Sequence, residues 1–183
     1  SYHSAVLLAP GHVLHAGQGP TFLGEIDGTV SARVNSISNL FGSAGFNIIP
    51  SANVLVEIWS KLALNAVTLP TSASIRITAD KLLRTPEMDR LMQAILREVV
   101  VVARRQEIPL DFDERWNAIR NLLGKLAENT KGSMLQDVER RRRTEIDVIN
   151  GAIVEAGARL GIATPYNQSM FYLIKALEQS FVT

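Results

Sequence analysis

From Asn53 to the end of the chain, apolar residues recur at helical spacing almost without a break, and this limits the fold more than any other feature. Val54, Ile58 and Leu62, with Leu55, Trp59 and Ala66 beside them, form a first apolar stripe. It predicts a helix that starts near Asn53 and is limited by Pro70. Thr85-Pro86-Glu87 predicts the next start, with Thr85 as cap and proline at the first helical position, where a missing N–H does no harm. The pattern continues through Met88, Leu91, Met92, Ile95 and Val99 to about Arg105. The run 99–102 is four valines, apolar on every side. By itself it would also suit a strand, but its long periodic lead-in marks it as the central buried helix. Further helices are predicted over 113–127, 144–160 and 165–180, the last two separated by Gly161 and Pro165.

The first quarter is different. Apolar runs at 5–9, 13–16 and 21–23 are split by Pro10-Gly11, by the stretch from Gly17 to Pro20 and by Gly24, which predicts short strands and tight turns. A helix over about 29–44, stopped by Gly45, and a strand over 46–49 follow. The expected organisation is a mainly α fold. Residues 1–50 form a small β-containing part, and residues 51–183 form a helical domain. Such a layout is like the back half of a two-domain dehydrogenase, an analogy at the level of fold alone.

Charge and composition exclude several partners. Lys plus Arg number 19 and Asp plus Glu 18, a net charge of +1. That balance gives no reason to expect a nucleic acid or an anionic membrane. The one strong cluster, Arg140 to Arg143, is surrounded by Asp137, Glu139, Glu145 and Asp147 and has no interleaved aromatics. A solvated face or an anion contact is the expectation there. The stretch 34–56 carries no charge, but Gly42, Gly45 and Pro50 interrupt it, so no membrane span is expected. The chain has no cysteine, which excludes disulfides, thiolate metal sites and a cysteine nucleophile, and fits a reducing cytoplasm. The start lacks the basic opening of a signal peptide and begins with Ser1, as a trimmed product would. His12 and His15 do not share a strand face, so no metal site is expected.

A few polar residues occupy unexpected positions. On a helical wheel Lys61 and Asn65 fall at the edge of the first apolar stripe, and four-residue spacing puts them on one face. A lysine there can snorkel to water. Alternatively, it is partly desolvated at a cleft, where it can donate a proton. Glu145 heads a stripe of Ile149, Ala152, Ile153, Ala156 and Leu160, whereas Asp147 falls on the opposite, solvated face. An acid in a first helical turn also complements the helix dipole, and Thr144 can serve as a cap in the same turn. Ser133 follows Lys131-Gly132 in what reads as a loop, with no base to activate it.

The segments Trp59-Ser60-Lys61-Leu62-Ala63-Leu64-Asn65 and Ser133-Met134-Leu135-Gln136-Asp137-Val138-Glu139-Arg140 resemble two hallmark motifs of the ketopantoate reductase family. So do Thr144-Glu145-Ile146-Asp147-Val148-Ile149-Asn150-Gly151, Leu160-Gly161-Ile162-Ala163-Thr164-Pro165-Tyr166-Asn167, and the early Pro10-Gly11-His12-Val13 and Gly24-Glu25. The resemblance runs from about Pro10 onward, with the motifs in order and at the right spacing. It implies an NADPH-dependent reduction of a 2-keto acid, 2-dehydropantoate, to pantoate in pantothenate synthesis. The implied fold is a helical C-terminal domain of the 6-phosphogluconate dehydrogenase C-terminal-like type, preceded by short strands left from a Rossmann-type domain. By the same resemblance Lys61 matches the catalytic lysine. Asn65 matches a substrate-binding asparagine, Ser133 the serine that contacts the substrate carboxylate, and Glu145 the acid that binds the substrate hydroxyl. The chemistry agrees with these roles. An ammonium group aimed at a ketone oxygen stabilises the charge that develops on reduction and can protonate it. A carboxylate can accept a hydrogen bond from a substrate hydroxyl and so discriminate against analogues without one.

Three departures matter. Where the family has Asn-Pro after the lysine motif, this chain has Leu69-Pro70, which brings a different branched or bulkier 2-keto acid into play. Arg141 and Arg143 stand where the family often has Gly and Pro. A dinucleotide-binding turn is also missing, because Gly17-Gln18-Gly19 lacks the third glycine and the following helix. NADPH is therefore expected to be held mainly by a nucleotide-binding domain outside this chain, and the chain alone is expected to be inactive. The expected partners are a small 2-keto acid and a second copy of the protein. The alternatives are a reductase of another 2-keto acid and a non-catalytic helical dimerisation module.

Overall fold

In a computed structural model, residues 1–181 are described, apart from the side chains of Ser4 and Ala16. The chain separates into two compact units, 1–58 and 59–183.

In the first unit, β1 (Ser4–Ala9) and β2 (His12–Gly17) form an antiparallel hairpin turned at Pro10-Gly11. Gly11 takes a left-handed φ of 77°, which glycine adopts without a steric penalty. Strand β3 (Thr21–Leu23) leads through α1 (Ala32–Ser43) to β4 (Ile48–Pro50). β4 lies parallel to β3, with Phe22 opposite Ile49, so the three elements form a βαβ unit. The last strand falls one to two residues later than the apolar run at 46–49 predicts, because Phe46 packs its ring against Phe41 and His3 instead of extending the strand. Ser31 caps α1 by accepting the Val34 N–H at 3.1 Å.

The rest is helical: α2 (Val54–Ile75), α3 (Pro86–Arg105), α4 (Phe112–Leu123), α5 (Ser133–Glu139), α6 (Asn150–Leu160) and α7 (Pro165–Gln179). As expected, α3 is central, and Met92, Ile95, Leu96, Val99 and Val102 are fully buried along it. Val101 is the exception, 51 % exposed, so the valine run has one outward side. Thr85 stands at the α3 cap position, but its side chain makes no capping hydrogen bond. α4 ends at Leu123 rather than at 127, where Gly124 closes the turn.

Four further expectations are corrected. Pro70 does not end α2, which continues to Ile75 and stops where Arg76 turns left-handed at φ 54°. The carbonyl that Pro70 leaves without a helical donor belongs to Ala66, and the side chain of Asn150 supplies the missing bond at 3.2 Å. Burial on α2 also runs differently. Ile58 is 55 % exposed, while Ser60, Ala63, Ala66, Val67 and Pro70 are buried. The span 144–160 is not one helix. A 3-10 turn at Ile146–Val148 and the unusual dihedrals of Ile149 (φ −105°, ψ −93°) precede α6. Finally, Ser133 is the first residue of a helix rather than part of a loop. That helix, α5, is carried by buried Met134, Leu135 and Val138.

Candidate active site on the second helix

Residues at i, i+4 and i+8 of a helix form one ridge. On α2 that ridge is Lys61, Asn65 and Leu69, each half-buried. The neighbouring residues Ala63, Ala66, Val67 and Pro70 are fully or nearly fully buried, so the ridge flanks the core without belonging to it. The start of α5 lies against the far end of this ridge. A β-carbon built on Gly132 would come within 2.9 Å of Leu69 Cδ2, so any larger residue there would have to displace the Leu69 side chain. Ser133 is thereby set beside the Leu69 turn, exposed, with its backbone at the first position of α5.

Glu145 stands on a different segment. Its position is fixed by its neighbours on both sides. Before it, the N–H and hydroxyl of Thr144 both donate to Glu178 Oε1, at 2.6 and 2.7 Å. After it, Ile146 is fully buried and its N–H donates to the Thr144 hydroxyl. Asp147 is not on a solvated face. It is half-buried and paired with Arg143 at 2.9 Å and Lys175 at 3.2 Å. The sequence pattern missed this because it assumed an unbroken helix. Five residues on, Asn150 ties the segment to α2 at Ala66, next to Asn65. The Glu145 side chain itself is exposed and makes no hydrogen bond or ion pair among the described residues.

The electrostatics follow from these contacts. The Arg143 guanidinium, and then Lys175, hold the Asp147 carboxyl below its ordinary range. Burial pushes the Glu178 carboxyl up, but the bonds from Lys175 and Thr144 together outweigh burial and leave it lowered. Both acids are therefore anions at neutral pH, and Lys175, raised first of all by its bond to Glu178, is a cation between them. The 144–148 segment is thus pinned to α7 by charge as well as by packing.

Sequence reasoning missed a second group, the buried amide network behind the ridge. Asn150 and Asn167 are both fully buried. Asn150 Nδ2 donates to Ala66 O and also, at 3.0 Å, to Asn167 Oδ1. Asn167 Nδ2 donates to Ile95 O and Glu98 Oε2. The Glu98 carboxylate also accepts the Tyr166 and Asn167 N–H groups at 2.8 and 2.9 Å, capping α7 in place of Thr164, which makes no capping bond. Only half of the signal was local: a proline inside an apolar helical pattern demands a donor from elsewhere, but nothing in the sequence singles out Asn150 as that donor.

Residues 53–178 match the family model described as the C-terminal part of ketopantoate reductase PanE/ApbA. The chain belongs to the ketopantoate reductase family. It is 34% identical over 168 residues to a 2-dehydropantoate 2-reductase of Archaeoglobus fulgidus, a match that covers 92% of this chain and 56% of that protein. Among solved structures, 2-dehydropantoate 2-reductase from Methylococcus capsulatus superposes with a TM-score of 0.88 at 31% identity, over 100% of this chain and 62% of that one. D-mandelate dehydrogenase in its ternary complex with NADH and anilino(oxo)acetate gives 0.93 at 27% identity, over 100% of this chain and 60% of that one. The chain thus spans a little over half the length of the ketopantoate reductases it matches.

Proposed function

We propose that this chain is the substrate-binding and catalytic part of an NADPH-dependent 2-keto acid reductase that converts 2-dehydropantoate to pantoate. One observation carries the reading: Lys61 and Asn65 share a half-buried ridge whose next turn, at Leu69, is approached by Gly132, the residue before Ser133. In a 2-keto acid the carbonyl and the carboxylate sit on adjacent carbons, so in this reading the Lys61 ammonium meets the ketone oxygen and Ser133 the carboxylate beside it. As the carbonyl carbon is reduced, negative charge collects on the oxygen. In this reading the Lys61 ammonium stabilises that charge and delivers the proton. Asn65 orients the substrate, Ser133 donates to its carboxylate, and Glu145 accepts from its hydroxyl.

The described residues do not fit the pyrophosphate of the dinucleotide. The turn after β3 is closed by the chain itself, because a β-carbon on Gly24 would lie 2.2 Å from Ser51 O. The start of α1 is capped by the Ser31 hydroxyl and has the Glu25 carboxylate beside it, held by the Ser31 and Arg33 side chains. We place the nucleotide on the part of the longer protein that the relatives have beyond this span.

Leu69 favours a second reading, reduction of another 2-keto acid with a bulkier apolar substituent. It presents an apolar, half-buried side chain in line with Lys61 and Asn65. The structural likeness to D-mandelate dehydrogenase is in keeping with that option.

The test is NADPH oxidation by the full-length protein with 2-dehydropantoate beside a panel of other 2-keto acids, for wild type and Lys61→Ala. A preference for 2-dehydropantoate and a loss of at least ~10²-fold in Lys61→Ala is expected, the size of effect a positioned proton donor has. A reaction only with another keto acid moves the substrate to the second reading. No oxidation with any of them sinks the reductase reading and leaves a non-catalytic helical module.

A further inference from the structure

The proline that fails to end α2 creates a gap in the helix just beside the proposed site. Pro70 has no N–H, so the Ala66 carbonyl, one turn earlier, has no donor within its own helix. Ala66 is fully buried, and an unpaired carbonyl there would carry the full cost of desolvation. Asn150 removes that cost by donating from Nδ2 at 3.2 Å. It does so while its own Oδ1 remains buried without a partner among the described residues. An apolar side chain would fill the same space and bury no unpaired amide oxygen, but it would leave the Ala66 carbonyl without a donor, so packing alone does not explain an amide here. What only the amide provides is a link across elements. The same Nδ2 holds Asn167 of α7, which in turn holds Ile95 and Glu98 of α3.

The location gives the link its consequence. Lys61 and Asn65 lie before the break in the α2 hydrogen-bond ladder, whereas Leu69, with Gly132, the residue before Ser133, against it, lies beyond the carbonyl that the break orphans. Any bend at Ala66–Pro70 changes the distance between the two ends of the proposed site. Helices do kink at proline when nothing replaces the lost bond.

We propose that Asn150 is a positioning residue that stands in for the N–H missing at Pro70 and so fixes Lys61 and Asn65 relative to Ser133. The idea rests on the reductase reading for its kinetic consequence, but its structural core does not. The two residues are coupled through one carbonyl. Asn150→Ala leaves Ala66 O unpaired only while position 70 is proline. With Pro70→Ala, the new N–H closes the turn from within the helix, and Asn150 becomes dispensable for it.

The test is a double-mutant cycle in the full-length protein, with Asn150→Ala, Pro70→Ala and both together. It is read by steady-state kinetics well below the unfolding temperature and by amide hydrogen exchange of the peptide covering 59–69. Asn150→Ala alone is expected to lower kcat/KM by at least about tenfold, with a rise in KM, and to speed exchange in that peptide. Added to Pro70→Ala, the same change is expected to cost less than about threefold and to leave exchange slow. If Asn150→Ala does not fold alone, recovery of folded protein on adding Pro70→Ala supports the coupling, and no recovery refutes it. Equal losses in both backgrounds, or a fall in active fraction with KM unchanged, would overturn the proposal in favour of a general packing role. Inactivity of the wild type on every keto acid would sink the reductase reading alone, and the exchange cycle would still decide the coupling of Asn150 to Pro70.

Discussion

Glu145 and Leu69 show how much a single side chain can decide here. Glu145 is an exposed carboxylate on a segment pinned on both sides, by Thr144 to Glu178 and by Asp147 to Arg143 and Lys175. The backbone that carries it is held in place, and its carboxylate is left open to accept a hydrogen bond from a ligand. If it binds the substrate hydroxyl, Glu145→Gln should lower kcat/KM for 2-dehydropantoate by about 10- to 100-fold, yet by much less for a keto acid of similar shape without the hydroxyl. Equal losses on both substrates would assign Glu145 to something other than hydroxyl recognition. Leu69→Asn tests the other end. Restoring a polar group on the ridge should shift the ratio of kcat/KM values toward 2-dehydropantoate and away from apolar 2-keto acids, and an unchanged ratio would remove Leu69 from the specificity argument. Lys61 and Asn65 were legible as candidates because the helical period alone puts them at the edge of an apolar face. Asn150 was not, because its partner is a backbone carbonyl 84 residues away, exposed by a proline whose effect depends on the tertiary fold.

At the scale of elements, helices with strong period and clear punctuation were legible, namely α3, α6 and α7. The interruptions were not. The break at 145–149 comes from interactions with α7, above all the acceptor that Glu178 offers to Thr144, and these have no local signature. The short α5 was invisible for a related reason, since seven residues give too little period to read. The brace between the 144–148 segment and α7 makes a pH prediction. Glu178 has its carboxyl pKa lowered from the ordinary 4.5. Its stabilising contribution is therefore complete above about 4.5 and fades as pH falls through the lower folded value. Glu178→Gln should lower stability at pH 7 by roughly 1–2 kcal/mol, through loss of a charged acceptor and the Lys175 pair. The difference from wild type should shrink below pH 4.5, as measured by urea unfolding across pH. A gap that stays constant into the acid range would mean that the carboxylate charge is not what holds the segment.

On the scale of the whole molecule, the first unit bears on where the nucleotide is held. Its β3–α1–β4 connection is a parallel βαβ crossover, the kind of unit that in other settings holds a phosphate at the start of its helix. Here that helix start already has an anion. Glu25 accepts from the Ser31 hydroxyl at 2.7 Å and from Arg33, and Arg33 foremost, with Ser31, keeps its carboxyl below the ordinary range. A phosphate brought to this point would meet a like charge and would have to displace the Arg33 pair. The 183 residues alone should therefore show no saturable NADPH binding and no keto acid reduction, whereas the full-length protein should show both. Fluorescence titration of NADPH against each would measure this directly. Saturable binding to the short chain would overturn the assignment. In that case Glu25→Gln should tighten the binding if the nucleotide occupies the α1 start, and leave it unchanged if it binds elsewhere in the chain.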